Sequence, residues 1–180
     1  MFKDFDISSF KKMKPPGDNT FDTMQEIKAL KKIPIRKTFV KEFDDQESAF
    51  KKTAEREGIE DYDNSVAKKL IEKSAPVILK LKKHFDRPRP KVLAKKMNIK
   101  MKDIEMASMK TPSYPSGHST QGILIGLALS DKYPNKEKQL MKAARNISHS
   151  RRVARAHYKS DSLFGEQIGK DMYNYIKDKI

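Results

Sequence analysis

Three short segments of this sequence concentrate cations, small residues, two histidines and a carboxylate. They are Lys82-Lys-His-Phe-Asp-Arg87-Pro-Arg89-Pro90, then Pro115-Ser116-Gly117-His118, then Ser150-Arg151 followed by His157 and Asp161. These are the parts that phosphoryl transfer needs. The reaction spreads negative charge over the equatorial oxygens, so its catalyst is chiefly a set of preorganised donors. Arginine grips phosphate through paired hydrogen bonds, and lysine supplies a compact charge. Ser116 and Gly117 stand where a helix is expected to start, adding a hydroxyl and backbone N–H groups at the positive end of a helix dipole. Glycine also lets an anion approach the backbone closely. His157 and Asp161 share a face if a helix begins by His157. A carboxylate on one ring nitrogen fixes the tautomer and leaves the other nitrogen free to attack phosphorus. His118, arriving from a different helix, can then protonate the leaving oxygen. Singly, each feature has an ordinary explanation as a cap, a surface pair or a helix stop. Their order and internal spacing together carry the reading.

The surrounding pattern is helical. Residues 1–19 read as an arm, closing on Lys14-Pro-Pro-Gly-Asp-Asn19, and residues 20–180 as one helical domain. Phe21, Met24, Ile27, Leu30 and Ile33 recur along one face from Thr20 to Ile33, and Pro34 stops that helix. A second helix is expected from Lys37 to Glu57, ended by Gly58. A third starts near Asn64, with Pro76 allowing a kink or a fresh start after Ser74. Arg87-Pro88-Arg89-Pro90 ends helical structure, and residues 91–115 read as a loop in which Pro112 and Pro115 keep the chain extended. Helices then follow from Ser116 to Lys132, from about Lys136, and from about Asp161 to Lys177. No segment alternates like a strand. The expected class is all-α, a compact single-domain helical bundle. Gly122 with Gly126, and Gly165 with Gly169, suggest close helix packing.

Composition narrows the partners. A chain of 180 residues suits one domain with a real core. It has no cysteine, which removes disulfides and thiolate metal sites. The strongly apolar stretch Gly122–Leu129 is far short of the roughly 20 residues a membrane span needs. The amino terminus lacks the apolar run of a secretory signal, so the expected location is cytoplasmic if Met1 is the native start, and periplasmic or secreted if a signal was removed. A net charge of +15 reads first as a solvated lysine-rich surface, because the lysines are spread along the chain. Steering of anionic substrates is the second reading. Nucleic acid is a weaker third, since no aromatic platform or finger motif accompanies the charge. His84 and His149 match no motif and read as structural or surface residues.

The pattern Lys-x6-Arg-Pro, Pro-Ser-Gly-His, Ser-Arg-x5-His-x3-Asp resembles the tripartite signature of type 2 phosphatidic acid phosphatases, bacterial class A acid phosphatases and vanadium haloperoxidases. It is met by Lys82, Arg89 and Pro90, by Pro115 through His118, and by Ser150, Arg151, His157 and Asp161. The flanking Tyr114-Pro-Ser-Gly-His-Ser-Thr-Gln-Gly122 and the Pro15-Pro16 arm look like the soluble bacterial phosphatases. The resemblance implies hydrolysis of phosphate monoesters, with lipid phosphates included in the range, and a small-molecule ester as the partner. It makes His157 the nucleophile of a phosphohistidine intermediate, Asp161 its orienting partner and His118 the general acid and base. Lys82, Arg89, Ser116, Gly117 and Arg151 would hold the phosphate. No metal and no cofactor is implied, and vanadate is expected as an inhibitor. On the alternative reading of a vanadate-dependent haloperoxidase, vanadate would instead be the cofactor. A non-catalytic anion or nucleic-acid binding protein is a second alternative, against which His118, His157 and Asp161 speak. Oligomeric state is left open. Arg87 is a secondary candidate for the site. So is Arg155, which stands where the family usually has glycine. It would be strained if that position needs a positive φ, and could be solvated or could charge the pocket mouth.

Overall fold

The computed structural model describes residues 1–179, and among them the regular structure is helical throughout. The α-helices are α1 (Phe21–Lys32), α2 (Lys37–Asp44), α3 (Gln46–Arg56), α4 (Asn64–Phe85), α5 (Pro90–Lys96), α6 (Gly117–Lys132), α7 (Glu137–Val153) and α8 (Lys159–Ile176). No helix among the described residues is long and apolar enough to cross a membrane.

Helix α6 is the axis of the fold. Gly122 through Gly126 are all buried, as are Ala128 and Leu129, so this helix is apolar on every side. It packs against α7, α8 and α4. Glycines set how close those partners come. A Cβ on Gly169 of α8 would sit 2.5 Å from the Thr120 carbonyl of α6, and one on Gly165 would sit 2.5 Å from the Ser116 carbonyl. The start of α6 is therefore pressed against α8. Gly169→Ala is expected to cost about 1–3 kcal/mol through overpacking against a backbone that cannot yield. Urea unfolding checks this as a lower midpoint at unchanged slope. An unchanged midpoint would mean that α8 can back away freely.

Three sequence expectations change. The single helix foreseen over 37–57 is two helices broken at Asp45, whose extended backbone and carboxylate, accepting from the Ser48 N–H at 2.8 Å, start α3 afresh. Pro76 does not divide α4. The helix runs through it because Leu70, Ser74, Val77, Ile78 and Leu81 bury one continuous face. The stretch 91–115 is not all loop. Pro90 occupies the first turn of α5, where its missing N–H costs nothing, so Arg87-Pro88-Arg89-Pro90 ends one helix and begins another. A 3₁₀ turn follows at Ala107–Lys110. The last helix, expected from about Asp161, begins at Lys159, with His157 just before it.

The first residues fold back onto the helices. Phe2 and Phe10 are buried, Phe5 meets Tyr175 edge-on, and Phe10 meets Phe164 in the same way.

Candidate active site

The site is assembled at helix ends. Ser116 caps the start of α6, and its hydroxyl accepts from the Ser119 N–H at 3.2 Å and from the Ser119 hydroxyl at 2.9 Å. Its own N–H donates to the Asp161 carbonyl at 3.1 Å, tying the start of α6 to the first turn of α8. Gly117 follows as the first residue of α6, next to the Lys82 side chain. The peptide bond between Tyr114 and Pro115, just upstream, is cis.

Asp161 is fully buried in the first turn of α8. Its Oδ2 accepts from the Tyr158 N–H at 3.0 Å, from His157 Nδ1 at 3.1 Å and from the Ser113 hydroxyl, while Oδ1 accepts from Arg87 at 2.8 Å. Burial pushes this carboxyl up, and Arg87, Ser113 and the Tyr158 N–H pull it back, leaving it at about 6. It is ionised at neutral pH. An ionised carboxylate can only accept, so the His157 proton resides on Nδ1 and the lone pair on Nε2. The helix was not needed for this pairing. Asp161 reaches back to His157 because it also accepts from the backbone at the start of α8, as an N-terminal capping carboxylate does.

His157 Nε2 lies 3.0 Å from Arg89 Nη1, which donates to it. Arg89 also donates to the carbonyls of Thr111 at 2.9 Å, Ala156 at 2.9 Å and Ser108 at 2.8 Å, so its plane is fixed on all sides. Burial pushes it down only to about 10, and it keeps its charge. Lys82, in the last turn of α4, donates to the Pro112 carbonyl at 2.6 Å, and burial, then Arg89, push it down to about 7. Arg151, from the last turn of α7, donates to Asp44 Oδ1 at 3.0 Å and to the Met106 sulfur at 3.3 Å. Burial, followed by the charges of Arg89, Lys82 and Arg151, pushes His157 well below the ordinary histidine range. It is a free base.

His118 lies in the first turn of α6, with Nε2 2.7 Å from the Asp44 carbonyl and 3.3 Å from Arg151 Nη1. A carbonyl only accepts and a guanidinium only donates, so the shorter contact decides the tautomer: Nε2 carries the proton. Burial and Arg151 push its pKa down to about 3.

Lys82, Arg89, His118, Arg151, His157 and Asp161 thus form one cluster beside Ser116 and Gly117 at the start of α6. Among the described residues, neither secondary candidate bonds to the two histidines of the cluster. Arg87 is buried behind Asp161, stacked 3.7 Å over the Tyr158 ring and bonded to Ser160 at 2.8 Å and Glu26 at 3.2 Å. Arg155 has the positive φ, +58°, that glycine would adopt without strain. Its guanidinium donates to the carbonyls of Lys31, Ile33 and Lys102 at 3.1–3.2 Å, which helps hold a conformation costing about 1–2 kcal/mol. It braces these three carbonyls and also lines a surface hollow with Lys91, Lys95 and Asn98. His84 touches the Lys11 carbonyl at 3.2 Å, and His149 meets the Phe39 ring edge-on, both outside the site. Sequence reasoning missed Asp44, Ser113, Glu26 and Ser160. Ser113 is legible beside Thr111-Pro112, whereas Asp44 and Glu26 carry no local signal.

The helical fold converges a histidine bonded to an aspartate, a second histidine and three buried cations on the start of its central helix, a set of donors of the kind an oxyanion requires. The chain belongs to the PAP2 superfamily, whose family model matches residues 71–170. Non-specific acid phosphatases of Salmonella typhimurium and Salmonella typhi are 35% and 34% identical to it over 88 residues. That stretch is 49% of this chain and 35% of each relative, so the match spans about a third of the relatives' length.

Proposed function

We propose that the protein hydrolyses phosphate monoesters through a phosphohistidine on His157, without a metal ion. The observation that carries this is the orientation of His157: Nδ1 is held by Asp161, and the unprotonated Nε2 faces Arg89 within the cationic cluster. A phosphate entering among Lys82, Arg89 and Arg151 would take over Arg89's hydrogen bond and free the Nε2 lone pair. Nε2 then bonds to phosphorus as the ester P–O bond breaks. The arriving dianion raises the proton affinity of His118, which takes up a second proton from solvent as the ester binds; the imidazolium then gives a proton to the leaving oxygen and returns to its neutral form. In the second half His118 takes a proton from water, the water oxygen bonds to phosphorus and the P–N bond breaks. Both Salmonella relatives are non-specific acid phosphatases, which supports this reading.

A groove of about 480 Å³ leads away from Arg89 along Val92, Met106 and Met109 with Lys91, Lys95 and Lys110 beside them. It offers room for the alcohol half of the ester. Its mixed character suits small organic phosphates and extends to lipid phosphates.

Hydrolysis of p-nitrophenyl phosphate in excess chelator tests the reading, with vanadate added as a second arm. Turnover should persist in chelator, since cations and not a carboxylate cage face the phosphate oxygens. Vanadate should inhibit competitively, because it can become five-coordinate with His157 Nε2 at an apex. Activity restored only by added magnesium or zinc would overturn the metal-free mechanism. Rapid bromination of a dye by the vanadate-loaded protein with peroxide, alongside no ester hydrolysis, would favour a haloperoxidase.

The depressed pKa of Lys82 gives a pH prediction. An anion needs Lys82 charged, and the free site loses that charge as pH rises through about 7. Sulfate remains a dianion throughout, so its affinity should fall several-fold between about pH 6 and about pH 8. Lys82→Met should bind sulfate more weakly and with a flat profile over that range. Calorimetry distinguishes the two.

A further inference from the structure

Asp44 ends α2, far in sequence from every motif residue, yet it touches both His118 and Arg151. Its backbone carbonyl accepts the His118 Nε2 proton at 2.7 Å, and its carboxylate accepts from Arg151 at 3.0 Å while lying 3.8 Å from His118 Nε2. The Arg151 side chain is completely buried, whereas that of Asp44 is 50% exposed. The charged groups facing His118 are Arg151 from α7, Lys82 from α4 and Arg89 at the start of α5. Against these cations Asp44 supplies negative charge from α2. Asp161, the other carboxylate at the site, is bonded to His157, Arg87 and Ser113 on the opposite side.

We propose that Asp44 is a positioning residue and counter-charge for the His118–Arg151 pair, sustaining proton donation by His118 and limiting how tightly the site holds free phosphate. This rests on the phosphatase reading above. The physical basis is that one negative charge acts on two neighbours in opposite senses. Beside His118 it favours the imidazolium that must form before the leaving oxygen is protonated. Beside Arg151 it offsets part of the positive field that attracts the phosphate dianion. A residue that only propped up Arg151 would do the first of these not at all, and its loss would weaken phosphate binding. The backbone carbonyl stays when the side chain changes, so the substitution Asp44→Asn removes the charge and leaves the His118 tautomer in place.

Two measurements on Asp44→Asn test this. Calorimetry with inorganic phosphate, at about pH 6 to keep Lys82 charged, should show binding about threefold or more tighter than in the unsubstituted protein. In steady-state kinetics, kcat/KM should fall more for an alkyl phosphate, whose leaving group needs the proton, than for p-nitrophenyl phosphate, whose leaving group does not. Phosphate bound equally or more weakly, or equal losses for the two esters, would overturn the proposal. If the unsubstituted protein turned over no ester at all, the phosphatase reading itself would fail, and with it the role given to His118. Turnover with untightened phosphate binding would sink Asp44 alone.

Discussion

Replacing His157 with alanine is expected to lower kcat for phosphate monoesters by about 10³-fold or more and to abolish the covalent intermediate. The side chain makes two polar contacts, to Asp161 and Arg89. Asp161 keeps its bonds to Arg87, Ser113 and the Tyr158 N–H when the imidazole is gone, so no buried carboxylate is orphaned and the fold should survive. Arg89 keeps three carbonyl partners and its place. Phosphate and sulfate should therefore still bind while chemistry stops. Brief reaction with labelled ester followed by an alkaline quench, which preserves phosphohistidine, should trap label on the unsubstituted protein and none on His157→Ala. A variant turning over at near the original rate would remove His157 from the mechanism.

The second large effect is expected at a residue set behind Asp161. Arg87 is enclosed between Asp161 and Glu26, and its guanidinium also lies flat on Tyr158. Arg87→Met would keep much of the side-chain bulk and remove the charge. The buried Asp161 would lose its cation, and breaking such a pair costs about 3–5 kcal/mol. The activity consequence has a definite sign. Burial already pushes the Asp161 carboxyl up to about 6, and Arg87 is the largest of the influences that lower it. Without Arg87 its pKa rises further, so the carboxylate gains its proton at a higher pH, and a protonated Asp161 no longer fixes the His157 tautomer. The acid limb of kcat/KM should move to higher pH as stability falls. Denaturant unfolding and a pH–rate profile check the two effects separately. A variant with unchanged stability and an unmoved acid limb would show that Arg87 does not sustain the Asp161 charge.

The sequence exposes what is local and hides what is not. Apolar spacing reveals the helix beginning near Thr20 because it buries a stripe repeated within a few turns, while the helices near Ser116 and Lys136 show through a capping serine and a proline break. The break at Asp45 was harder to read, since Val40, Phe43 and Phe50 suit one helix as well as two. It is decided by a single capping carboxylate. Pro90 misleads in the opposite direction, because proline signals a stop in a helix interior and a start in the first turn. Lys82, Arg89, Ser116, His118, Arg151, His157 and Asp161 stand out through spacing alone, although spacing says nothing of their partners. Arg87 is the case in point: residue type suggests a phosphate ligand, and only the fold reveals Glu26 and Asp161 on either side of it. Asp44 was illegible because its contact with Arg151 joins residues 107 positions apart.

The backbone bond from the Ser116 amide to the Asp161 carbonyl has a consequence for how the molecule breathes. Ser113 joins the same knot, its amide bonded to the Arg87 carbonyl and its hydroxyl to Asp161, and the Tyr158 amide closes it on the Asp161 carboxylate. Amides locked in one knot cannot open to solvent independently, because releasing one unseats the carboxylate or carbonyl that holds the others. Ser113, Ser116 and Tyr158 should therefore exchange their amide hydrogens at a common slow rate, although they come from separate stretches of chain. The support of His157 and the start of α6 should behave as one opening unit, whose exchange rate reports the integrity of this cluster.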